Sequence, residues 1–212
     1  MTDYDLFGAI PPGDSGLPPG MRLEEDFLAP DEEQALLAHI RGLPLTNAEY
    51  LQYTARRRTM SYGGKYDFAH QQLDEAPPIP DWLQPLKARA AAWAEVNADE
   101  IAQALVSEYA PGTPLGWHRD VPHYEHIIGI SLAGEGVMRF RRYPPRREDG
   151  RPARADLKRV LRPRSIYTLQ GESRWRWQHA VSPTKVLRFS ITFRTRSDRE
   201  VQGTVYPVGS AP

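Results

Sequence analysis

Residues 114–126 read PLGWHRDVPHYEH, which puts three histidines and an aspartate within nine positions. His118 and Asp120 are two apart. In an extended segment, side chains at i and i+2 share a face, so an imidazole and a carboxylate can converge on one ion. H-x-D recurs by chance, and its weight comes from a third candidate: His179 in WRWQHAVSP, at the end of a predicted strand. Two histidines and one carboxylate on one side of an ion, with the other side open, suit non-haem Fe(II) oxygenase chemistry. The open positions admit a chelating co-substrate and O2. His123 and His126 compete, because together with His118 they can form an all-histidine cluster suited to zinc. They follow Pro122 in a predicted loop, outside the strand alternation, and so read as substrate-side or structural residues. His39 on a helix face and His70 in a polar stretch read as bystanders.

A second group of chemistry-bearing residues lies in RFSITFR. Period-two alternation puts Arg188, Ser190, Thr192 and Arg194 on one face and Phe189, Ile191 and Phe193 on the other. The aromatic face belongs in a core. The polar face must be wet or must grip an anion, because arginine is rarely left buried and unpaired. Six residues of extended strand separate the two guanidiniums by about 20 Å, so they serve different ends of a pocket. A guanidinium fork can hold a carboxylate in bidentate fashion; ordinary salt bridges to Asp or Glu are the competing reading.

These residues need a scaffold, and the sequence indicates one. The segment APDEEQALLAHIRG predicts a helix: Asp31, Glu32 and Glu33 suit its N-terminal end, Leu36, Leu37 and Ile40 share a face, and Gly42 stops it. A second helix is expected in PDWLQPLKARAAAWAEVN, with Asp81 as cap, Pro85 in the first turn, and Leu83, Leu86, Ala90 and Trp93 as the apolar stripe. From about residue 101, short β-rich runs follow one another without helices between them: AQALVSEY, HIIGISL, GVMRFRR, RSIYTLQ, RWRWQHAV and LRFSITFRTR. That texture predicts an antiparallel double-sheet barrel or sandwich with the helices packed outside. Residues 1–20, with four prolines and four glycines, read as a loosely ordered arm, and residues 21–212 as a single domain.

Composition sets the remaining bounds. The 212 residues are 40% hydrophobic and 25% charged, with 27 basic and 27 acidic side chains, so no global field draws the chain to a polyanion. Any such affinity must come from local clusters. The strongest is segment 141–164, RRYPPRREDGRPARADLKRVLRPR, with ten basic and three acidic residues; it reads as a proline-broken loop. Arg56, Arg57 and Arg58 form another. The absence of cysteine excludes disulfides, thiolate metal sites and cysteine nucleophiles. No apolar run approaches a membrane span, and the N-terminus lacks a signal-peptide pattern, so the expectation is a cytoplasmic protein without membrane association.

Taken together, SEYAPGTPLGWHRD, RSIYTLQGESRWRWQHAVSP and RFSITFR resemble the AlkB family of Fe(II)- and 2-oxoglutarate-dependent dioxygenases. The resemblance covers residues 101–196 well and 23–100 loosely. It implies an α+β fold with a double-stranded β-helix (jelly-roll) core and supporting N-terminal helices. It implies that His118, Asp120 and His179 hold Fe(II), and that Arg188 and Tyr109 bind 2-oxoglutarate. Ser107 and Ser190 stand where many relatives carry asparagine near the co-substrate, and Arg194 matches a second arginine nearer the iron and the substrate, counted with the catalytic residues. The implied reaction is oxidative demethylation of N-alkylated bases in DNA or RNA, with release of formaldehyde, succinate and CO2, by a monomer. The strand would be gripped through segment 141–164 and Arg56, Arg57 and Arg58. Pro122 stands where some repair members have an acidic residue facing the base. Tyr62, Tyr66 and Phe68, in MSYGGKYDF, can stack on an extruded base or pack as core. Two readings compete: the same oxygenase chemistry on a protein or small molecule, and a non-catalytic, metal-bound β-barrel binding module.

Overall fold

The computed structural model describes residues 16–50, 53–67, 72–145 and 157–198. Most of the N-terminal arm, the centre of the basic segment, Phe68 and His70 lie outside them.

Strand β13 (Arg188–Arg196) shows why the chain folds as it does. Phe189, Ile191 and Phe193 are buried against Ile128, Ile130, Val106 and Ala104. The alternate residues point to the opposite side of the sheet. β13 lies between β6 (Ile101–Tyr109) and β8 (Tyr124–Leu132), antiparallel to both. Further out come β11 (Ile166–Leu169) and β1 (Met21–Glu24) on one side, and β3 (Tyr53–Tyr62) and β2 (Thr46–Tyr50) on the other. The resulting order is β1-β11-β8-β13-β6-β3-β2. A four-stranded sheet, β10 (Leu157–Leu161), β9 (Gly136–Arg142), β12 (Trp177–Val181) and β7 (Leu115–His118), completes the sandwich. A small hairpin, β4 (Gly64–Asp67) with β5 (Gln72–Glu75), stands apart.

Helix α1 (Pro30–Arg41) and helix α2 (Gln84–Ala94) cover the apolar face of the large sheet. Leu36, Leu37 and Ile40 from α1 and Leu86, Ala90 and Ala94 from α2 join one core with the β13 aromatics. Covering one face leaves the other free to bear polar groups toward the smaller sheet, and the site lies there. A third helix, α3 (Gly171–Trp175), leads into β12. Among the described residues no helix is long and apolar enough to cross a membrane.

Several expectations need correction. The large sheet does not begin at residue 101: β1, β2 and β3 already belong to it. The period of two in β3 is masked by its arginine run, and Arg58 is taken up in a bidentate pair with Glu108 (2.8 and 2.7 Å) on the neighbouring strand. Segment 141–164 is not all loop. Leu157–Leu161 forms β10, pairing from Leu157↔Phe140 to Leu161↔Gly136, with Leu157 and Leu161 on the inner face and Lys158 and Val160 exposed on the other. Arg174 and Trp175, expected in a strand, belong to α3, and Arg174 donates to the carbonyls of Val121 and Tyr124. Asp81 does not cap α2: it opens a 3-10 turn over Asp81–Leu83 whose N-cap is Pro80. Of the two roles open to Tyr62, base stacking and core packing, it takes the second.

One glycine fixes the separation of strands and rings on the inner face. A Cβ at Gly129 would fall within the ring of Tyr167 on the adjacent strand β11. Gly129→Ala is expected to destabilise the protein by about 1–3 kcal/mol, as overpacking does in tight cores. A shift in the urea midpoint at constant m-value checks this.

Candidate metal centre

β7 and β12 are neighbours, and their register sets His118 directly opposite His179. The ladder slips by one residue between this pair and Val181↔Leu115. Through that bulge Leu115 and His118 both face inward, and Trp117 is left facing out. Asp120 follows two residues later, and the candidate ligand atoms of His118, Asp120 and His179 all lie within 4.8 Å of one another. The imidazole centroids are 4.2 Å apart, and His179 Nε2 is 3.6 Å from Asp120 Oδ2.

The hydrogen bonds show which atoms are left for an ion. His118 Nδ1 is 2.9 Å from the carbonyl of Gly116; as donor there, it leaves Nε2 as a lone pair. Asp120 Oδ1 accepts from Arg194 through Nε (2.8 Å) and Nη2 (2.7 Å). Its other oxygen, Oδ2, is buried with no hydrogen-bond partner. A buried carboxylate oxygen left bare is costly unless a cation meets it. Two neutral imidazoles, one bare carboxylate oxygen and no thiolate form the donor set of a 2-His-1-carboxylate Fe(II) site, so the residues fit that metal.

The electrostatics agree. Burial, and then the neighbouring His118, push the His179 imidazole down to about 3. Burial also lowers His118, aided by Arg57 and Arg194. Burial alone would raise Asp120, but Arg194, then His179, Arg174 and His118, outweigh it and hold the carboxyl well below the usual carboxylate range. All three ligands are therefore in their metal-binding protonation states at neutral pH. There is a stability consequence. Between about pH 6.5, where an unfolded histidine titrates, and pH 3, the unfolded chain binds more protons than the folded one. Stability of the metal-free protein is therefore full above that window and falls as pH drops through it. Urea midpoints at pH 7.5 and 5 should show the loss, and His179→Gln should reduce it; identical slopes would remove burial of a neutral His179 as the cause.

The inner face of the large sheet supplies the rest. Gln103, Ser107 and Tyr109 on β6 stand opposite Arg194, Ser190 and Arg188 on β13. Arg188 is 2% exposed, lies 5.0 Å from the Tyr109 ring centroid and donates to Ser131 Oγ at 3.2 Å. Among the described residues no carboxylate pairs with it. A Cβ at Gly136 would come within 2.7 Å of its Nε, so the glycine makes room for the guanidinium. Burial raises the Tyr109 hydroxyl, but Arg57 and Arg188 outweigh it and draw the phenol below its ordinary value; hydrogen bonds from Arg57 and Ser190 assist. Arg188 and Tyr109 thus put a buried guanidinium and a phenol at one end of one cavity, with the triad at the other. Both ends line a single cleft, together with Arg57, Tyr167, Ser190, Thr192 and Arg194.

The other histidines stay out of the cluster. His126 is engaged by Thr195 (Nδ1 to Oγ1, 3.2 Å), and His39 stacks on Trp82 at 5.0 Å. His123 lies outside the cluster as well. Ser107 is buried opposite Ser190 but does not reach the cavity wall. Arg194 works differently from a plain co-substrate contact: besides gripping Asp120, it donates to Gln103 Oε1 (2.7 Å), whose amide donates to Ser61 Oγ and the Gly64 carbonyl. Gln103 was legible, being a lone amide in phase with Ser107 and Tyr109 in IAQALVSEY. Arg57 reaches the cavity only through the β3–β6 pairing, which no local pattern announces.

Comparison with known proteins agrees with this geometry. Residues 20–194 match the model of the 2OG-Fe(II) oxygenase superfamily. The alkylated DNA repair protein ALKBH8 homolog of Arabidopsis thaliana is 28% identical over 92% of the chain. The tRNA (carboxymethyluridine(34)-5-O)-methyltransferase alkbh8 of Xenopus tropicalis is 26% identical over 80%. The chain spans 60% and 26% of those two relatives' lengths. Among solved structures, OsALKBH1 superposes with a TM-score of 0.60 at 18% identity, covering 85% of this chain and 98% of that one. A Pseudomonas putida prolyl-4-hydroxylase superposes with a TM-score of 0.53 at 17% identity, covering 84% and 92%. Fe(II), 2-oxoglutarate and O2 are the cofactor and co-substrates that this triad and match entail. The chain belongs to the 2OG-Fe(II) oxygenase superfamily, with AlkB/ALKBH8-like proteins among its homologues.

Proposed function

We propose that the chain oxidatively demethylates N-alkylated bases in nucleic acid. The observation that carries the reading is the charge inside the cavity. Arg57, Arg188 and Arg194 line it, and Asp120 is the one acid among the lining residues. Asp120 answers Arg194, and a 2-oxoglutarate carboxylate answers Arg188. Three guanidiniums against one carboxylate among the described lining residues suit a polyanion better than a neutral small molecule. The names of the relatives, alkylated DNA repair and tRNA modification, support the same class.

The residues divide the work. His118 through Nε2, Asp120 through Oδ2 and His179 would hold the ion on one side, leaving the opposite side open. Arg194 keeps Asp120 from rotating, and Gln103 keeps Arg194 in place. Arg188 and Tyr109, with Ser190 beside them, would take the distal carboxylate of 2-oxoglutarate. Ile127, Met138, Val181 and Leu115 exclude water around the reacting centre. When bound, the metal supplies the oxidative decarboxylation of 2-oxoglutarate to succinate and CO2 and the hydroxylation of a substrate C–H bond. An N-methyl carbon so hydroxylated releases formaldehyde and leaves the free base nitrogen.

The test is a coupled assay of formaldehyde and succinate on methylated single- and double-stranded DNA and RNA oligonucleotides. Equal yields of formaldehyde and succinate on one of them support the reading. Consumption of 2-oxoglutarate that no methylated oligonucleotide stimulates overturns it and leaves a protein or small molecule as substrate.

A further inference from the structure

The smaller sheet has two faces, and only the inner one serves the cavity. Its outward residues are Val137, Arg139 and Arg141 on β9, Lys158 and Val160 on β10, Gln178 and Ala180 on β12, and Trp117 on β7. The register assigns them so, with Lys158↔Arg139, Ala180↔Arg139 and Gln178↔Arg141 as neighbours. None is acidic. Arg139 and Arg141 converge on Trp117, their guanidinium carbons 5.1 and 4.5 Å from its ring centroid. Arg141 donates to Gln178 Oε1 at 2.8 Å. Arg139 Nε has no hydrogen-bond partner, and among the described residues neither arginine forms an ion pair.

Other surface arginines differ. Arg22, Arg58, Arg89, Arg162 and Arg164 are each paired with an acid. In a chain whose charges balance, two guanidiniums stacked on an indole, with an ammonium beside Arg139 and no ion-paired acid among the described residues, form a local electrostatic sink. Arginines stacked on an aromatic keep their outer N–H groups directed at solvent and lose little freedom on meeting a phosphate. Arg139 and Arg141 leave the strand about 7 Å apart before meeting at the ring, and Lys158 stands beside Arg139 one strand further from β7, so the cations spread across the sheet from its Trp117 edge.

The position matters too. β7 is one edge of the four-stranded sheet, and Trp117 immediately precedes His118 on it. One points out where the other points in, so cavity and basic face lie back to back across a single strand.

We propose that this outer face, Arg139 and Arg141 on Trp117 with Lys158 beside Arg139, binds the backbone phosphates of the single strand that flanks the base entering the cavity. The proposal rests on the nucleic-acid reading above and adds where the strand is held. Binding is mainly electrostatic and independent of sequence, with Trp117 fixing the arginines in place.

The experiment is fluorescence anisotropy of the full chain, without iron, on an unmodified labelled single-stranded oligonucleotide, from 50 to 200 mM salt. The Arg139→Gln/Arg141→Gln double variant should lose about two phosphate contacts, lowering the salt slope by about 1.4 on the basis of roughly 0.7 per contact for single strands. Lys158→Gln, an exposed change that leaves packing alone, should lower it by about 0.7. Arg139→Lys/Arg141→Lys should retain most of the slope. Wild-type affinity and slope in both Gln variants overturns the surface, as does poly-glutamate binding as tightly as the oligonucleotide. The two readings fail separately. If methylated oligonucleotides are demethylated while the Gln variants bind like wild type, the surface is wrong and the function stands. If the variants lose binding while no methylated oligonucleotide couples to 2-oxoglutarate, the surface stands and the function falls.

Discussion

His179→Ala is expected to abolish turnover and remove tight metal binding. Without it the remaining donors are His118 and Asp120, too few to hold Fe(II) with one side left open for co-substrates. Losing even an outer partner of a ligand costs about 10–100-fold in metal affinity, and a ligand itself costs more. The same change relieves the crowding of two buried imidazoles 4.2 Å apart, so the metal-free fold should survive. Isothermal titration with Mn(II), paired with a thermal melt, checks both halves. Wild-type affinity in the variant would mean that the ion sits elsewhere.

Arg188→Met has the second large effect, and its sign differs between states. In the free protein the guanidinium is buried with Ser131 as hydrogen-bond partner and no carboxylate among the described residues. A buried charge without its counter-ion is a burden of several kcal/mol, so an apolar chain of similar length should leave the free protein equally stable or more stable. With 2-oxoglutarate present the order reverses. Removing one partner of a buried ion pair costs about 2–5 kcal/mol, which is roughly 30- to 4,000-fold in affinity for the keto acid. Melting curves with and without 2-oxoglutarate and Mn(II) read both signs: the variant should match or exceed the wild-type Tm alone and show no stabilisation by the keto acid. A drop in Tm of the free variant with intact 2-oxoglutarate stabilisation would place Arg188 among structural residues.

Much of the site could be read from local pattern. Alternation in RFSITFR put Arg188 and Arg194 on one face and the aromatics on the other, because a strand buried on both sides still obeys a period of two. H-x-D with a distal histidine marked the triad, although the bulge that turns Leu115 and His118 inward together, and Trp117 outward, has no signature in LGWH. What stayed hidden depended on contacts far apart in sequence. Arg57 looked like part of a surface patch until β3 paired with β6; Arg58 turned out to be occupied by Glu108. β10 was obscured by the charge of LKRVL, since lysine and arginine can sit on the wet side of a strand as readily as in a loop. The glycines at 129 and 136 were visible inside or beside strands, but the rings and guanidinium they make room for were not.

The account depends on one ion being shared by His118, Asp120 and His179 beside a keto acid held at Arg188. Anaerobic addition of Fe(II) and 2-oxoglutarate tests it most directly. A weak visible charge-transfer band should rise to saturation at one equivalent of iron, and it should be absent in His118→Ala. Failure of the wild-type protein to develop the band, or its persistence in the variant, would contradict the assignment of this cavity as the oxygenase centre.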